Sequence, residues 1–493
     1  MLSRIIQRLR GEDKDLQTRT LKAAFWSFLG STGNGVIRFT SNLILTRILF
    51  PEAFGLMATA MLLMTLVQIF SDTGVKTALI QHEDGASEQF INTSFIITLA
   101  RNAILFILIV LSIEPLASFY DQPALGPLLW IMSSSFLLEA LINPALPILI
   151  KDLKIEKQVT YTIGSQLAGF LVTLILAITL RSAQALAWGF LATSLFRVVG
   201  SYLIMSYRPR LRWDQRAGRE LLHFGKYILL NTMITWAALN VDRLIIGKIL
   251  GMEQLGLYNI ALYLGIFLTD IMVQIFAQSY FPAVSSIASD LPRVKAIYKR
   301  TMQVITTIAV PLAFFLAVFS QDVITLLYDP RYQLAGVALF WVSLRSAVQV
   351  LVNVQGGTLL ALGRPKLVTL SNAIGLIVTI ITLPLLTLKY GLMGTGIAIT
   401  SSSILTGLIQ MRMLSQKMDF DAATIVQPWT RLLLTGITII GVYKVLTFVA
   451  PAPLDNNILL ILLTTLVSVG LVYLQERRHV REVLGSFVGA EKQ

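Results

Sequence analysis

Cysteine is absent from this chain of 493 residues, and histidine occurs only three times. Without cysteine there is no disulfide, no thiol nucleophile and no thiolate metal site. His82, His223 and His479 are far apart in the sequence and follow no metal-ligand spacing, so we predict neither a metal site nor a cofactor. The nearest approach to a phosphate-binding loop, residues 436–444, has Val-Tyr before its lysine and lies in an apolar run, so ATP hydrolysis is not expected.

Charge is scarce as well. Charged residues make up 14% of the chain, against about 25% in an average soluble domain. Hydrophobic residues make up 55%, and mean hydropathy is +0.72. A transmembrane helix needs about 20 apolar residues, whereas a barrel strand has about 10 and alternates in polarity. The apolar runs here are long and do not alternate, so the sequence predicts an all-α integral membrane protein.

About fourteen transmembrane helices are predicted from these runs. They lie at residues 21–48, 53–72, 90–113, 125–150, 160–180, 184–206, 224–250, 256–285, 301–320, 334–362, 367–388, 391–413, 429–449 and 456–474. The net charge is +13, and the basic residues fall mainly in alternate short loops. The positive-inside rule then places both termini in the cytoplasm. No basic face of a soluble domain is visible, so nucleic acid is not an expected partner.

A short internal repeat indicates that the chain is built from two halves. "RILFPEAFGL" (47–56) and "KILGMEQLGL" (248–257) match in register 201 residues apart, and "VQIF" occurs at 67–70 and at 273–276. Six predicted spans separate the copies, so both enter the membrane from the same side, which makes a parallel repeat. We therefore predict two six-helix lobes around a central cavity, related by a pseudo-two-fold axis along the membrane normal.

The predicted domain organisation follows from these spans. Residues 1–20 are an interfacial helix or a cytoplasmic tail, and residues 475–493 are a cytoplasmic tail. The parts between them are an N-lobe (21–207), an inter-lobe linker (208–223), a C-lobe (224–413) and two trailing helices (414–474).

Four stretches resemble a known family. They are "TRILFPEAFGLMA" (46–58), "SDTGVKTALIQ" (71–81), "LINPALPILIKDLK" (141–154) and "LGLYNIALYL" (255–264). They resemble the Wzx-type polysaccharide flippases, in the branch that includes the colanic-acid exporter, within the multidrug/oligosaccharidyl-lipid/polysaccharide exporter superfamily. The resemblance implies a V-shaped cavity between two lobes and translocation of undecaprenyl-diphosphate-linked oligosaccharide.

Charged and polar residues inside the predicted spans give the candidate site. Arg38 lies near the middle of an uncharged run, where an arginine costs about 2.5–3.5 kcal/mol and normally faces a bundle interior or water. Gly30, Asn34, Arg38 and Ser41 fall on one helix face, which is typical of a cavity wall. A second such face carries Arg345 and its neighbours. The residues predicted to bind the diphosphate or glycan are Arg38, Asn34, Arg101, Arg345, Gln349, Asn353, Asn231, Thr235 and Lys76.

Four further residues are predicted to serve ion coupling or gating: Asp72, Asp242, Arg243 and Asp270. Arg243 has an alternative structural role as the partner of its neighbour Asp242, and Arg197 has one as an anchor at the cytoplasmic end of its helix. Arginines outnumber acids in the middle of the spans, which favours an anionic ligand. Guanidinium groups form paired, planar hydrogen bonds to phosphate oxygens and stay charged at any working pH.

The predicted function is that of a transporter in the bacterial inner membrane, not an enzyme. It flips the lipid-linked repeat unit from the cytoplasmic to the periplasmic leaflet by alternating access in polysaccharide biosynthesis. Polysaccharide polymerase and glycosyltransferases of the same pathway are possible partners. The alternatives are a multidrug/cation antiporter of the same superfamily, which needs deep acids, and a membrane polymerase or glycosyltransferase, which needs a large outside loop.

Overall fold

A computed structural model describes residues 16–70, 74–225, 229–418 and 422–449. The chain divides into two compact units, residues 1–236 and 237–493. Each unit is described by itself, and the described parts of both are helices joined by short turns. The predicted limits of the lobes, linker and trailing helices stay predictions.

The first unit contains nine described α-helices, the start of a tenth, and a short 3-10 helix at Glu83–Ala86. The α-helices are α1 (Leu16–Ile48), α2 (Pro51–Phe70), α3 (Val75–Gln81), α4 (Glu88–Phe119), α5 (Leu125–Ala140), α6 (Leu146–Lys151), α7 (Ile155–Leu180), α8 (Ala183–Ile204), α9 (Gln215–Gly225) and the start of α10 (Leu229–Ile249). The predicted single span 125–150 is wrong, since it is divided into α5 and α6. The division falls at Asn143 and Pro144, and a proline disfavours helical geometry in the residue before it.

The second unit contains the rest of α10 and six further described helices. They are α11 (Gly251–Ser285), α12 (Leu291–Val318), α13 (Ser320–Leu327), α14 (Ala335–Ala361), α15 (Pro365–Met418) and α16 (Ala422–Val449). Gly391 interrupts α15 with φ 58° and ψ −139°, a conformation that favours glycine. The interruption falls at the first residue of the predicted span 391–413, shortly after the predicted span 367–388. The predicted span 456–474 lies outside the described residues.

Seven of the described helices are long and apolar enough to cross a membrane. They are α2, α4, α7, α8, α12, α14 and α15. The predicted class, an all-helical multi-pass membrane protein, is confirmed, whereas the number of fourteen spans stays a prediction.

Glycine and threonine bring α7 and α8 into close contact. Thr173 Oγ1 donates to Gly169 O at 2.8 Å within α7, and Thr193 Oγ1 donates to Gly189 O at 2.9 Å within α8. A Cβ added at Gly169 would overlap the Thr193 side chain, and one at Gly189 would overlap Thr173. Small residues at such crossings allow helix backbones to approach closely in a membrane.

The same arrangement recurs in the second unit. Thr379 Oγ1 donates to Gly375 O at 2.9 Å, and a Cβ at Gly375 would overlap Thr406 Oγ1. Gly375 and Thr379 follow Gly169 and Thr173 by 206 residues, the same spacing that separates the two copies of "VQIF". This recurrence supports the predicted duplication.

Gly169→Leu is expected to lower the stability of the purified protein by about 1–3 kcal/mol, because overpacking forces α7 and α8 apart. Gly164→Leu is the matched control, since a Cβ at Gly164 in the same helix has no atom within 4 Å. The measurement is the midpoint of thermal unfolding in detergent, with size-exclusion chromatography as the readout of the protein that remains folded. Equal midpoints for the two variants would contradict the close-contact assignment.

Candidate functional site: charged groups within each unit

The first unit contains a cavity of about 480 Å³. Its wall is formed by α2, α3, α4, α7, α8 and the region of the α5–α6 turn. The charged residues that line it are Lys76, Arg101, Glu139 and Arg197. Among the described residues of the wall, three cations stand against one carboxylate, and this surplus of positive charge suits an anion.

Arg101 lies in α4 and is half-buried at this cavity. Its Nη2 donates to Gln68 O at 2.9 Å. Gln68 belongs to the last turn of α2, where carbonyl groups lack helical partners and the helix dipole favours positive charge. The contact fixes the guanidinium at the cavity wall. Lys76, in α3, is exposed at the same cavity.

Arg197 and Glu139 form an ion pair in the cavity wall. Arg197 Nη1 lies 3.1 Å from Glu139 Oε1, and their side chains are 43% and 22% exposed. Arg197 on α8 is therefore joined to Glu139 near the end of α5. Its predicted role as an anchor at the cytoplasmic end of the helix stays a prediction. Glu139 also lies within electrostatic reach of Arg101.

The second unit has a buried group centred on Asp242, which is 3% exposed. Its Oδ2 accepts from Tyr258 OH at 2.6 Å and lies 3.4 Å from Arg345 Nη1. Its Oδ1 accepts from the backbone N–H of Arg243 at 2.9 Å. The pairing of Arg243 with Asp242 through their side chains is therefore wrong, because Arg345 on α14 forms the ion pair.

The polar face of α14 extends beyond this pair. Gln349 Nε2 donates to Asn353 Oδ1 at 3.1 Å, as residues four apart on a helix can. The Arg345 side chain is 18% exposed, Gln349 is half-buried and Asn353 is exposed. The polar face predicted on α14 is thus present, and within it Arg345 forms an ion pair with Asp242.

The polar face predicted on α1 is divided between two environments. Gly30 is buried against Val159 of α7, and Gly33 lies against Ile163. The start of this face therefore contacts a helix instead of lining a cavity, because glycine leaves room for the α7 side chains. Asn34 is half-buried, while Arg38 is exposed and is not among the residues that line the first-unit cavity.

The remaining predicted residues stay predictions. Asp72 lies outside the described residues, and the side chains of Asn231, Thr235 and Asp270 lie outside them too. A chamber shared by both halves also stays a prediction. Within the described ranges, no cluster of His, Asp and Glu side chains has the geometry of a metal site.

Sequence reasoning missed two buried asparagines that hold the segment after α8. Asn92 Oδ1 accepts from Tyr207 OH and from Arg210 N, both at 2.8 Å. Asn143 Nδ2 donates to Tyr207 O at 2.8 Å, and Asn143 N donates to Ser201 Oγ at 3.0 Å. The available signal was an amide side chain close to the end of an apolar run.

The fold and these sites define a multi-pass helical membrane protein with a positively lined cavity in its first unit. The chain belongs to the polysaccharide biosynthesis protein family, whose model matches residues 44–335. The lipopolysaccharide biosynthesis protein WzxC of Escherichia coli is 23% identical over 71% of this chain and 69% of its own length. The succinoglycan biosynthesis transport protein ExoT of Rhizobium meliloti is 23% identical over 66% of this chain and 65% of its own length.

Solved structures share the fold at low sequence identity. The lipid II flippase MurJ, in an inward closed conformation, superposes with a TM-score of 0.72 at 14% identity, covering 94% of this chain and all of MurJ. An inward-facing multidrug resistance transporter of the MATE family has a TM-score of 0.61 at 12% identity, covering 78% of this chain and 94% of its own. These superpositions show that the chain shares its fold with both transporters.

Proposed function

We propose that this protein flips undecaprenyl-diphosphate-linked oligosaccharide across the bacterial cytoplasmic membrane by alternating access. The observation that carries the proposal is the cavity lined by Arg101, Arg197 and Lys76 in a chain of a polysaccharide biosynthesis family. A diphosphate headgroup is the part of such a substrate that most needs this environment, since charge is costly to bring into a membrane.

The first-unit cavity supplies the chemistry for a diphosphate. Arg101 presents a planar fork of donors that matches phosphate oxygens, and Lys76 adds a point charge. Arg197 shares its charge with Glu139, so it contributes less to the binding of an anion than Arg101 does. The polar groups Gln158 and Thr162 on the same wall offer hydrogen bonds to a glycan.

Charge also distinguishes this proposal from the multidrug antiporter alternative. The fold alone does not separate the two, because both MurJ and a MATE transporter superpose on the chain. A cationic drug would be repelled by the surplus positive charge of the cavity. One relative is named a biosynthesis transport protein and another a "probable low-salt glycan biosynthesis flippase", and these names disfavour a polymerase or glycosyltransferase.

The proposal includes the orientation of the protein in the membrane and the position of the flipping step in polysaccharide biosynthesis. Both termini are cytoplasmic, and movement of a negative headgroup outward runs with the membrane potential, at about 2.3 kcal/mol per charge per 100 mV. Glycosyltransferases that build the lipid-linked unit act before this step, and a polymerase that joins the units acts after it. One chain is sufficient, because it carries both halves.

Reconstitution tests the proposed function. Proteoliposomes that hold a fluorescent undecaprenyl-diphosphate oligosaccharide are treated with an external glycosidase, and the fraction of sugar that becomes accessible is followed over time. We expect faster exposure than in protein-free vesicles and a slower rate for the corresponding monophosphate lipid. Ethidium uptake into the same vesicles, without movement of the glycolipid, would contradict the proposal and favour the antiporter.

A further inference from the structure

The segment that follows α8, together with the first turns of α9, forms a basic surface that the cavity does not use. We call residues 205–219 the basic strap. Its residues 205–214 are held against the first unit by Asn92 and Asn143, as described above, and by Thr93 Oγ1, which accepts from Asp214 N at 3.0 Å. Because α8 crosses the membrane and ends at Ile204, the strap starts at the membrane surface.

One face of α9 is fixed by apolar contacts with the same unit. Ala217 and Leu221 are buried in a cluster with Ala78, Leu79, Phe90 and Ile97. Asp214 Oδ1 accepts from Ala217 N at 2.8 Å and caps the start of the helix. The burial of this face leaves the arginines of the strap on the outside, where they are exposed.

Five arginines stand in the strap, against Asp214 as its one acid: Arg208, Arg210, Arg212, Arg216 and Arg219. Arg208 donates to the carbonyls of Met205 and Tyr207, at 2.8 and 3.2 Å. Arg216 contacts Glu220 at 3.0 Å, and this hydrogen bond and charge, with the charge of Asp84, raise the pKa of Arg216.

Within the described ranges, the other three arginines are not paired with an acid. In the part of the chain that the structure describes, the guanidiniums of Arg210, Arg212 and Arg219 make no hydrogen bond or ion pair. Each is exposed and available to an anion outside the protein.

Large apolar side chains are exposed beside these arginines. Leu203, in the last turn of α8, is 81% exposed, Leu211 is 74% exposed and Trp213 is 53% exposed. Tryptophan is enriched at the level of lipid headgroups, and each basic residue near an anionic bilayer surface contributes about 1 kcal/mol of attraction. Water is an unfavourable neighbour for such a set of apolar groups, whereas the headgroup region accommodates both charge and apolar surface.

We infer that the basic strap binds the phosphate headgroups of anionic phospholipids in the leaflet that it faces. Arg210, Arg212 and Arg219 contact the phosphates, and Leu211 and Trp213 lie in the headgroup region. The observation that carries the inference is a rigidly held segment with three unpaired guanidiniums next to exposed apolar side chains at the end of a membrane span. The inference is independent of the substrate that the cavity transports.

The absence of native cysteine allows a direct test on the full chain. Ser206, which is exposed in the strap, is replaced by cysteine and labelled with an environment-sensitive fluorophore. The protein is placed in nanodiscs of phosphatidylcholine with increasing phosphatidylglycerol. We expect a blue shift that saturates with phosphatidylglycerol and weakens between 50 and 500 mM salt, because salt screens exposed charges (Debye lengths of roughly 14 and 4 Å).

Charge variants show whether the lipid response depends on the arginines of the basic strap or on any exposed basic residues. Arg210→Gln/Arg212→Gln/Arg219→Gln is expected to raise the half-saturating phosphatidylglycerol content about tenfold or more. The matching variant Arg293→Gln/Lys299→Gln/Arg300→Gln removes three exposed charges from α12. It is expected to leave the half-saturating phosphatidylglycerol content unchanged. Arg210→Lys/Arg212→Lys/Arg219→Lys keeps the charge and is expected to retain the response, which controls for folding.

Three results would overturn the inference. The first is the same blue shift in pure phosphatidylcholine. The second is an equal loss of response in the α12 variant. The third is a response in pure phosphatidylcholine that depends on added inorganic diphosphate or on poly-glutamate, which would assign the strap to a free anion or to an acidic protein.

Discussion

Asp242→Ala is expected to lower the free energy of unfolding of the purified protein by about 3–5 kcal/mol, because it leaves a buried guanidinium without its carboxylate. The Asp242 and Arg345 side chains are 4% and 18% exposed, so water replaces little of the lost interaction. Tyr258 loses its hydrogen-bond acceptor in the same variant. The change in the free energy of unfolding is measured by denaturant titration in detergent, with circular dichroism as the readout.

The double variant Asp242→Asn/Arg345→Gln separates lost pairing from general disruption. It removes both charges and retains polar groups of similar size, so we expect it to be more stable than Asp242→Ala. Glu253→Ala is the control, since Glu253 is an exposed acid in the first turn of α11, and its loss is expected to cost about 1 kcal/mol or less. A change of the same size in Asp242→Ala and Glu253→Ala would show that the pair does not stabilise the second unit.

The pairing of Arg345 also assigns different roles to the two units. A diphosphate that reaches Arg345 must compete with Asp242, whereas Arg101 lies with Lys76 at the wall of the first-unit cavity. The cavity of the first unit is therefore the better starting point for recognition of an anion, and Arg345 is available only when its carboxylate partner is displaced.

The class of fold could be predicted because it depends on local composition. Apolar runs of about 20 residues have few solutions other than transmembrane helices. The span 125–150 shows where this reasoning fails. Hydropathy does not detect that Asn143 turns its amide toward Tyr207, or that Pro144 disfavours continuation of the helix. Glu139, in the last turn of α5 just before the break, pairs with Arg197.

The arginines could be found in the sequence, but their partners could not. Asp242 and Arg243 are adjacent in the chain, yet adjacent residues on a helix point in different directions. The partner of Asp242 is Arg345, 103 residues away on another helix. Glu139 and Arg197 are likewise 58 residues apart. Such pairs depend on tertiary packing, and one sequence does not reveal it.

Arg101→Ala is expected to slow flipping of the diphosphate-linked oligosaccharide by about 10- to 100-fold, since a hydrogen bond to a charged group is worth about 1.5–3 kcal/mol. The guanidinium of Arg101 is held at the cavity wall by its contact with Gln68 O. Arg101→Lys keeps the charge but loses the planar fork, so an intermediate rate is expected. The assay is external glycosidase access in proteoliposomes with matched protein content.

Glu139→Gln provides the opposite test of the same electrostatic argument. It removes the Glu139 carboxylate from the cavity wall and frees Arg197, so the wall becomes more positive. We expect tighter binding of the diphosphate headgroup, seen as a lower half-saturating substrate concentration, with slower release. Arg181→Ala is the matched control, because Arg181 is exposed in the same unit and does not line the cavity. If Arg101→Ala and Arg181→Ala flip at the same rate, and Glu139→Gln leaves half-saturation unchanged, then the positive wall of this cavity does not recognise the substrate.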